Sequence, residues 1–523
     1  MTSVRQEANE TSLRPDLVLG LVAPSGTDMP GIRSSLDRSL ARYGYDYVDV
    51  SLSGLIAQFA SLEAVPTEEY RRIQTLMEHG TQIREASARG DAIALLAVKE
   101  IRGIRRARAK DQAPCAFVLR SLKHPDEIRL LQDVYSPGFF TLSAFTPRAA
   151  RLDNLTSRIV QSRDGRTTQA RSAAEEILEK DESELDRALG QDVRDAFPLA
   201  DYFLDCSHAG RLQPEVDRFV DLLFSYPFHT PSRDEYSMFQ ASAAALRSSD
   251  LGRQVGAVIA DIEGDLVAVG CNEVPKFGGG LYWEGDESDE RDFRIGRDPM
   301  AHQRDQIIRE IVDRFGKAGL LAGDPGEVRE SILSGAQSDA LRGARVANLL
   351  EFGRTVHAEM AALMDAARRG VSVAGKAMYV TTFPCHLCAR HIVAAGISRV
   401  VYIEPYPKSR AQEQHGDAIT LEASPATTSR RGVDRVVFGP FAGVAPRQYM
   451  SMFEPVVKRR DANGIAINWR RPEMGMPRFS RYRSSYEAIE IKIVGEDLME
   501  LQERYAASVV RDQQSHSANG DPR

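Results

Sequence analysis

Cysteine is scarce in this chain, with five residues in 523 spread over its length. A small and odd number of cysteines argues against a disulfide framework and favours a location in the reducing cytoplasm. Long apolar runs are also missing. No stretch approaches the roughly 18 apolar residues of a membrane-spanning helix, and no apolar segment follows basic residues near the start. The sequence therefore predicts a cytoplasmic protein without a membrane span or a signal peptide.

Neither sign of charge is in large excess. Lys and Arg number 67 against 74 Asp and Glu, which gives a net charge of −7. Proteins that hold long nucleic acid along its phosphates are usually basic, so that role is disfavoured for the chain as a whole. The hydrophobic content of 42% is typical of globular proteins, and 523 residues exceed one ordinary core. We therefore expect two or three domains.

The order of apolar and polar segments predicts four regions. An α/β domain with a doubly wound sheet covers 15–230, because short apolar runs alternate there with helical patterns. A second α/β domain covers 234–456 and contains an insertion at about 276–350. A basic and aromatic extension follows at 457–511, and a polar tail at 512–523 is expected to be disordered.

Particular segments carry these expectations. In the first domain, strands are predicted at Leu17–Val22, Tyr47–Val50 and Ala116–Leu119, with a helix at 31–43. In the second domain, the pattern predicts a hairpin over 255–269. The insertion should contain a helix near 303–315, where apolar residues recur at helical spacing.

Two of the five cysteines stand three residues apart in the segment TTFPCHLCAR, which starts at Thr381. Pro384 suits the first turn of a helix, so Cys385 and Cys388 would lie on one side of its N-terminus. The positive end of a helix favours thiolates there. The spacing alone is compatible with a redox pair, half of a structural zinc site or part of a catalytic zinc site.

A histidine and a glutamate upstream discriminate among these options. His357 and Glu359, in the segment TVHAEM, begin another predicted helix, where both side chains can project past its end. A structural zinc site closes with a fourth protein ligand, whereas a catalytic site leaves that position to water. The spacing of His386 and His391 requires neither as a fourth ligand. A redox pair explains neither His357 nor Glu359, so we predict a catalytic Zn²⁺ site. Its ligands are His357, Cys385 and Cys388.

His-x-Glu followed by Pro-Cys-x-x-Cys resembles the signature of the zinc-dependent nucleobase deaminases. In that superfamily zinc activates the water that attacks the amine-bearing ring carbon, and the glutamate moves a proton to the ring nitrogen and to the leaving ammonia. The resemblance implies a zinc hydrolase with Glu359 as its catalytic residue. It also implies a cytidine deaminase-like α/β/α layering for the second domain.

Two flanking segments, LGRQVGAV from Leu251 and GCNEVP from Gly270, are similar to the deoxycytidylate deaminase branch of that superfamily. This likeness implies a deoxycytidine nucleotide as substrate and places Asn272 at the sugar. A turn residue after a strand is the plainer interpretation of Asn272. Arg253 and Lys408 are candidates for phosphate contacts, and Tyr406 is a candidate for stacking on the base. Ordinary surface side chains are the alternative for all three.

The loop after the first strand, GLVAPSGTD, has the position of a phosphate-binding loop. It lacks the lysine of hydrolytic loops, since the first lysine of the chain is Lys99 and an acid, Asp28, follows Thr27. The segments 117–127 and 139–148 resemble the later strands of nucleotide-kinase-like P-loop domains, and this resemblance implies a degenerate P-loop, kinase-like regulatory domain. The missing lysine predicts that the domain does not hydrolyse nucleotides. Its candidate nucleotide-binding residues are Gly20, Ser25, Gly26 and Thr27.

This order of domains, over roughly 16–455, resembles the bacterial anti-phage deoxycytidine nucleotide deaminases. The resemblance implies conversion of dCTP, dCMP or both to uracil nucleotides, assembly as a homo-oligomer and, in some members, restraint by a small regulatory RNA. The segment 458–483 holds eight basic residues with aromatic residues between them. It is a candidate for binding a triphosphate or such an RNA, or is a solvated rim. A nucleic-acid editor with the same zinc chemistry and a non-enzymatic nucleotide-binding protein with structural zinc remain alternatives.

Overall fold

The structure is a computed structural model that describes residues 15–518, apart from gaps. The gaps are 63, 109–112, 164–166, 183, 185–186, 188, 297, 336–340, 342–345, 347–351, 406–408, 422–434, 470–474, 476 and 479–482. The chain divides into two compact units. The first comprises Met1–Glu235, Glu422–Thr427 and Pro440–Arg523, and the second comprises Tyr236–Leu421 and Thr428–Gly439.

The first unit is built on a six-stranded sheet. Its strands are β1 (Leu17–Val22), β2 (Asp46–Ser51), β3 (Cys115–Arg120), β4 (Phe139–Phe145), β5 (Tyr202–Asp205) and, much later in the chain, β12 (Gly443–Val444). Their order is β12-β5-β4-β1-β3-β2. Each described pairing from β2 across to β5 is parallel, and β12 is antiparallel to β5. The predicted strands at 17–22, 47–50 and 116–119 are confirmed.

Helices follow the strands in alternation. They are α1 (Met29–Ala41), α2 (Leu52–Phe59), α3 (Glu69–Ser87), α4 (Ala92–Ala107), α5 (Pro125–Tyr135), α6 (Arg148–Ser162), α7 (Ala170–Glu182), α8 (Val193–Ala196) and α9 (Ala209–Leu223). A 3₁₀ turn, Phe197–Leu199, precedes β5. No helix in the described part of the chain combines the length and the apolar character needed to traverse a bilayer.

Apolar cores cover both faces of this sheet. In β1, Val18 and Val22 belong to one core, which includes α4 and α5, while Leu19 and Leu21 belong to the other, which includes α1 and α9. A strand that is buried on both faces has a continuous apolar sequence, and the sequence of β1, LVLGLV, is of this type. The predicted α/β class is thus confirmed for this unit, and its P-loop character stays a prediction.

The end of the chain packs on the first unit. After β12 come a 3₁₀ turn (Pro446–Gln448), α17 (Tyr449–Phe453), α18 (Arg483–Lys492), a π-helical turn (Ile493–Asp497) and α19 (Leu498–Ala518). Tyr486, Ile493, Leu498 and Leu501 are buried in the same core as α4 and α5. The sequence prediction ended the second domain at 456, whereas the contacts assign Pro440 onward to the first unit. The boundary differs because β12, which pairs with the first unit's sheet, has two residues and is too short for a sequence pattern to indicate.

A buried ionic cluster fixes this C-terminal segment. The Arg105 guanidinium of α4 donates to Asp16 Oδ2 at 2.9 Å and to Glu490 Oε1 of α18 at 2.8 Å. The Tyr135 hydroxyl of α5 donates to Glu490 Oε1 at 2.8 Å. A buried arginine that loses a carboxylate partner typically destabilises a protein by about 3–5 kcal/mol. Glu490 therefore ties residues far apart in sequence into one core.

The second unit is built on a mixed six-stranded sheet. Its strands are β6 (Gly256–Ala260), β7 (Leu266–Cys271), β8 (Ala377–Thr382), β9 (Arg399–Glu404), β10 (Ile419–Leu421) and β11 (Val436–Pro440), in the order β10-β11-β9-β8-β6-β7. β6 is antiparallel to β7 and to β8, while β8 with β9 and β10 with β11 are parallel pairs. The predicted hairpin over 255–269 is confirmed as β6 and β7.

Helices and the insertion complete the second unit. The helices are α10 (Arg233–Ala245), which belongs to this unit from Tyr236 onward, α11 (Asp292–Ile295), α12 (Pro299–Lys317), α13 (Pro325–Leu333), α14 (Ala358–Arg368), α15 (His386–Ala394) and α16 (Ala411–His415). The helix predicted near 303–315 is confirmed as α12. The apolar core lies between the sheet and the helices α14 and α15, and its members include alanines of both helices, Leu363 of α14 and Ile392 of α15 together with residues of β6 and β8.

Candidate functional site

The helix α14 begins at the residue after His357. His357 is the N-cap, with extended backbone angles (φ −66°, ψ 153°), and Glu359 lies in the first turn with 4% exposure. A two-hydrogen-bond bridge joins the preceding residue, Val356, to Glu273, with N···O distances of 3.0 and 3.2 Å. The bridge fixes the backbone just before the histidine. The prediction that His357 and Glu359 open a helix is confirmed.

The helix α15 presents the two cysteines at its own N-terminus. Cys385 is the N-cap, and its Sγ accepts a hydrogen bond from the Cys388 N–H at 3.4 Å. Pro384 lies just before the cap rather than in the first turn. A hydrogen bond donated by the Cys388 thiol, assisted by His357, lowers the pKa of the Cys385 thiol, whereas the same contact and burial raise the pKa of Cys388. Cys385, at the N-cap, thus sits where a helix end favours a thiolate.

The imidazole and both thiols converge. His357 Nδ1 lies 3.4 Å from Cys385 Sγ and 3.4 Å from Cys388 Sγ, and the three ligand atoms all lie within 4.8 Å of one another. Tetrahedral zinc with its usual bond lengths would hold a nitrogen and a sulfur ligand about 3.6 Å apart. The donor set and its spacing therefore fit zinc.

Within the described residues, this group of metal-binding side chains has three members. His386 and His391, the candidates for a fourth ligand, do not belong to it. Among the described residues, neither Cys271 nor His302 belongs to a second group of three or more side chains that could bind a metal ion. A three-ligand zinc site is the arrangement that leaves a coordination position for water.

Glu359 and two of the three ligands, His357 and Cys385, line one cavity of about 450 Å³. Burial, followed by the nearby Cys385 thiolate, raises the pKa of Glu359 to about 7. A carboxyl group with that pKa can both accept and release a proton near neutral pH. The cavity therefore combines a metal site with a proton-transfer group.

Asn272 and Arg253 also line this cavity. The Asn272 side chain is 7% exposed; its Oδ1 accepts from the Val255 N–H and its Nδ2 donates to the Arg253 carbonyl, both at 2.7 Å. Asn272 thus holds the backbone that carries Arg253. The Arg253 side chain is exposed and lies 3.4 Å from Glu404 Oε2.

Three residues that the sequence reasoning did not select line the same cavity: Phe383, Arg354 and Asp292. Arg354 Nη1 donates to Asp292 Oδ1 at 3.0 Å. Phe383 packs edge-on against Tyr402. Arg354 stands three residues before the His357 ligand and Phe383 two before Cys385, so proximity to the motif was the available signal.

The remaining predicted site residues fall into two groups. Tyr406 and Lys408 fall outside the described residues, and their roles stay predictions. In the first unit, Ser25, Gly26 and Thr27 line a cavity, whereas Gly20 lies inside β1 and is not among the residues that line it. Gly26 has φ +87°, and an added Cβ would lie 2.3 Å from the Arg151 carbonyl oxygen.

Gly270 allows α14 to lie directly on β7. A Cβ at this position would lie 2.3 Å from the Ala358 carbonyl oxygen and 2.4 Å from the Ala362 nitrogen. Because both atoms are backbone, Gly270→Ala must displace the helix that carries the metal ligand. We expect a loss of about 1–3 kcal/mol in the free energy of unfolding, together with weaker zinc binding. Urea unfolding and a competitive zinc titration measure the two effects.

Gly103→Ala in α4 is the matched control. Apart from its chain neighbours and the backbone of its own helix, no atom of the described residues lies within 4 Å of its added Cβ, and alanine is the better helix former. This variant should be as stable as the parent or slightly more stable. Equal stability and zinc affinity in Gly270→Ala would contradict the steric role of Gly270.

Sequence comparison finds related proteins over the second unit. Residues 231–404 match the family described as cytidine and deoxycytidylate deaminase zinc-binding region. The deoxycytidylate deaminase of Enterobacteria phage T4 is 47% identical over 55 residues, which are 10% of this chain and 28% of that protein. The probable deoxycytidylate deaminase of Drosophila melanogaster is 27% identical over 193 residues, 36% of this chain and 70% of that protein.

The first phage relatives are thus matched over less than a third of their length. Among solved structures, the dCMP deaminase of cyanophage S-TIM5 in complex with dCMP and dUMP aligns with 41% of this chain and 100% of its own. That alignment has 16% identity and a TM-score of 0.23, too low to establish a shared architecture.

Proposed function

We propose that the zinc-binding, deoxycytidylate deaminase-like domain in the second unit converts deoxycytidine nucleotides to uracil nucleotides and ammonia. The proposal depends above all on one arrangement: three metal ligands converge, and two of them, His357 and Cys385, line one cavity together with the buried Glu359. The zinc-binding family match and the deoxycytidylate deaminase relatives support the substrate class.

Zinc held by these ligands would supply a Lewis acid that makes a water molecule acidic near neutral pH. Glu359 takes the proton of that water as its oxygen adds to C4 of cytosine, and it delivers the proton to N3. Glu359 then takes the remaining proton of the hydroxyl on C4 and passes it to the exocyclic amine. The bond from C4 to that nitrogen breaks, ammonia leaves, and the oxygen stays on C4 as the carbonyl of uracil. The raised pKa of Glu359 suits both halves of this transfer.

Other cavity residues would orient the nucleotide. The two hydrogen bonds of Asn272 leave its amide the capacity for one further donor and one further acceptor contact, which the deoxyribose could use. Arg253 and Arg354 line the cavity and offer guanidinium groups for phosphate. Phe383 provides an aromatic wall for the base. Together these residues would contact the sugar, the phosphate and the base of a deoxycytidine nucleotide.

A finer proposal concerns the biological setting. We infer that dCTP is a physiological substrate and that its depletion limits phage DNA synthesis. We also infer a cytoplasmic homo-oligomer, with a small RNA as a candidate regulator. The division into two units and the order of the domain patterns along the chain support this view.

Two arginines of the basic segment at 458–483 have structural partners. Arg459 and Arg478 donate hydrogen bonds to backbone carbonyls, so these two cations stabilise the fold.

A substrate panel tests the proposal. The zinc-loaded full-length protein should release ammonia from dCTP, dCMP or both, and not from single-stranded DNA. A strong chelator should abolish the release, and added zinc should restore it. Deamination of single-stranded DNA alone would favour the editor. Failure to deaminate any of the three substrates at full zinc occupancy would favour a non-enzymatic zinc protein.

A further inference from the structure

One loop forms a large part of the wall of the cavity that Glu359 lines. This loop, residues 249–255, lies between α10 and β6, and five of its seven residues line the cavity. Asn272, the first residue after β7, fixes the end of the loop next to β6. The group that holds the other end, at Ser249, determines how firmly the loop presents Arg253 to a ligand.

Glu273 holds that other end. Its Oε2 accepts hydrogen bonds from the Ser249 N–H at 2.9 Å and from the Ser249 hydroxyl at 2.7 Å, and its Oε1 accepts one from the Val274 N–H at 2.9 Å. Glu273 is 1% exposed, and a buried carboxylate with several donors rigidifies the backbone that it binds. Glu273 is not among the residues that line the cavity, so it would act through the loop.

Glu273 also contacts two further segments that line the cavity. Its backbone pairs with Val356, the residue before His357, through hydrogen bonds of 3.0 and 3.2 Å. Its Oε2 lies 3.9 Å from Nη1 of Arg291, a buried residue of the insertion, and the next residue, Asp292, lines the cavity. Glu273 therefore connects the loop, the segment that carries a metal ligand, and the insertion.

The carboxylate form of this side chain matters to the arrangement. The partners of its oxygens are hydrogen-bond donors: two N–H groups, one hydroxyl and the Arg291 guanidinium. A glutamine of the same size would have to turn its own NH₂ group toward one of these donors. Glu273→Gln should therefore loosen the loop without opening a cavity in the core.

We propose that Glu273 is a positioning residue for deamination, which holds loop 249–255 so that Arg253 is presented to the nucleotide. The inference depends on the proposed function, because it assigns the loop to nucleotide binding. The groups of the chemical step, His357 and Glu359, are positioned by α14 and by the backbone of Glu273, which the substitution retains. Loss of the carboxylate should therefore weaken nucleotide binding and leave the chemical step nearly unchanged.

Steady-state deamination of dCMP and dCTP by the zinc-loaded full-length protein tests the proposal. In Glu273→Gln, KM should rise about tenfold, while kcat stays within about twofold of the parental value. A variant that is only less stable would instead lose active enzyme, which lowers the apparent kcat and leaves KM unchanged. Ser249→Ala removes one of the two hydrogen bonds to the loop and should raise KM by a smaller factor.

Hydrogen–deuterium exchange of the nucleotide-free protein gives a readout that needs no activity. In Glu273→Gln, the amides of loop 249–255 should exchange at least about tenfold faster than in the parent, whereas those of α14 should exchange at the parental rate. Thermal unfolding verifies that each variant is folded. Should Glu273→Gln not fold, the same two measurements on Ser249→Ala decide the question.

Glu284→Gln is the matched control. Glu284 pairs with Arg291 at 3.3 Å, but its side chain is 89% exposed and does not line the cavity. This variant should show the parental KM and the parental exchange rates. The proposal is overturned if Glu273→Gln retains the parental KM or if its loop exchanges at the parental rate. A parent that deaminates neither nucleotide contradicts the proposed function instead, and the exchange rates then decide alone whether Glu273 holds the loop.

Discussion

Glu359→Ala should lower kcat by about 10²–10⁴-fold while zinc content stays at about one ion per chain. Glu359 is buried beside the ligands and is not needed as one, so its removal leaves the metal group intact. What disappears is the group that moves a proton from water to the ring and to ammonia. Steady-state deamination kinetics and metal analysis of the same preparation measure the two quantities.

Two further variants make this result specific. Glu359→Gln keeps the side-chain volume in a buried position but cannot exchange protons, so it should lose activity like Glu359→Ala. Glu263→Ala, in the exposed turn between β6 and β7, should retain parental kinetics. Parental turnover in Glu359→Gln would rule out Glu359 as the proton carrier. Loss of zinc in both Glu359 variants would instead give it a role in the metal site.

Cys388→Ser should reduce the zinc content from about one ion per chain to near zero at sub-micromolar free zinc, and abolish deamination. Thiolate is the charged ligand that zinc selects here, whereas a serine hydroxyl remains protonated at neutral pH. With Cys388 lost, His357 and Cys385 are the remaining members of the group. Metal analysis after dialysis, and a competition titration with a zinc indicator, measure the loss.

The control for Cys388→Ser is another buried cysteine. Cys271 at the end of β7 is 1% exposed and is not part of the metal group, so Cys271→Ser should retain its zinc. Comparable loss from both variants would mean that general destabilisation removes the metal. Retention of one tightly held zinc in Cys388→Ser would contradict the ligand set.

The sequence predicted those features that a short local pattern encodes. β1 was found because a strand covered on both faces is a continuous apolar run, and α12 because its apolar residues follow the helical repeat. The positions of His357 and Cys385 at helix N-termini followed from the adjoining residues, although their separation of 28 positions hides their contact. Chemistry supplied that link, since zinc requires ligands of these kinds.

Other features depend on contacts that no local pattern records. Arg354 lines the zinc cavity and pairs with Asp292, which lies 62 positions earlier. The sequence analysis assigned the segment around Asp292 only to an insertion. The carboxylate of Asp181 reaches the loop after β1 from 156 residues downstream. The pairing of β12 with β5 rests on two residues. In each case long-range packing decided the outcome.

The two-part construction of the first unit has a consequence for biosynthesis. As the chain leaves the ribosome, the second unit is complete once Gly439 has emerged, whereas the first still lacks β12 and α18. Among the ion pairs of the described residues, Arg105 keeps the one with Asp16 until Glu490 is synthesised. We therefore expect the second unit of a nascent chain to fold before the first, although the first unit is translated earlier. Until its C-terminal strand and helices are synthesised, the first unit exposes part of its core and is the unit that chaperones should bind.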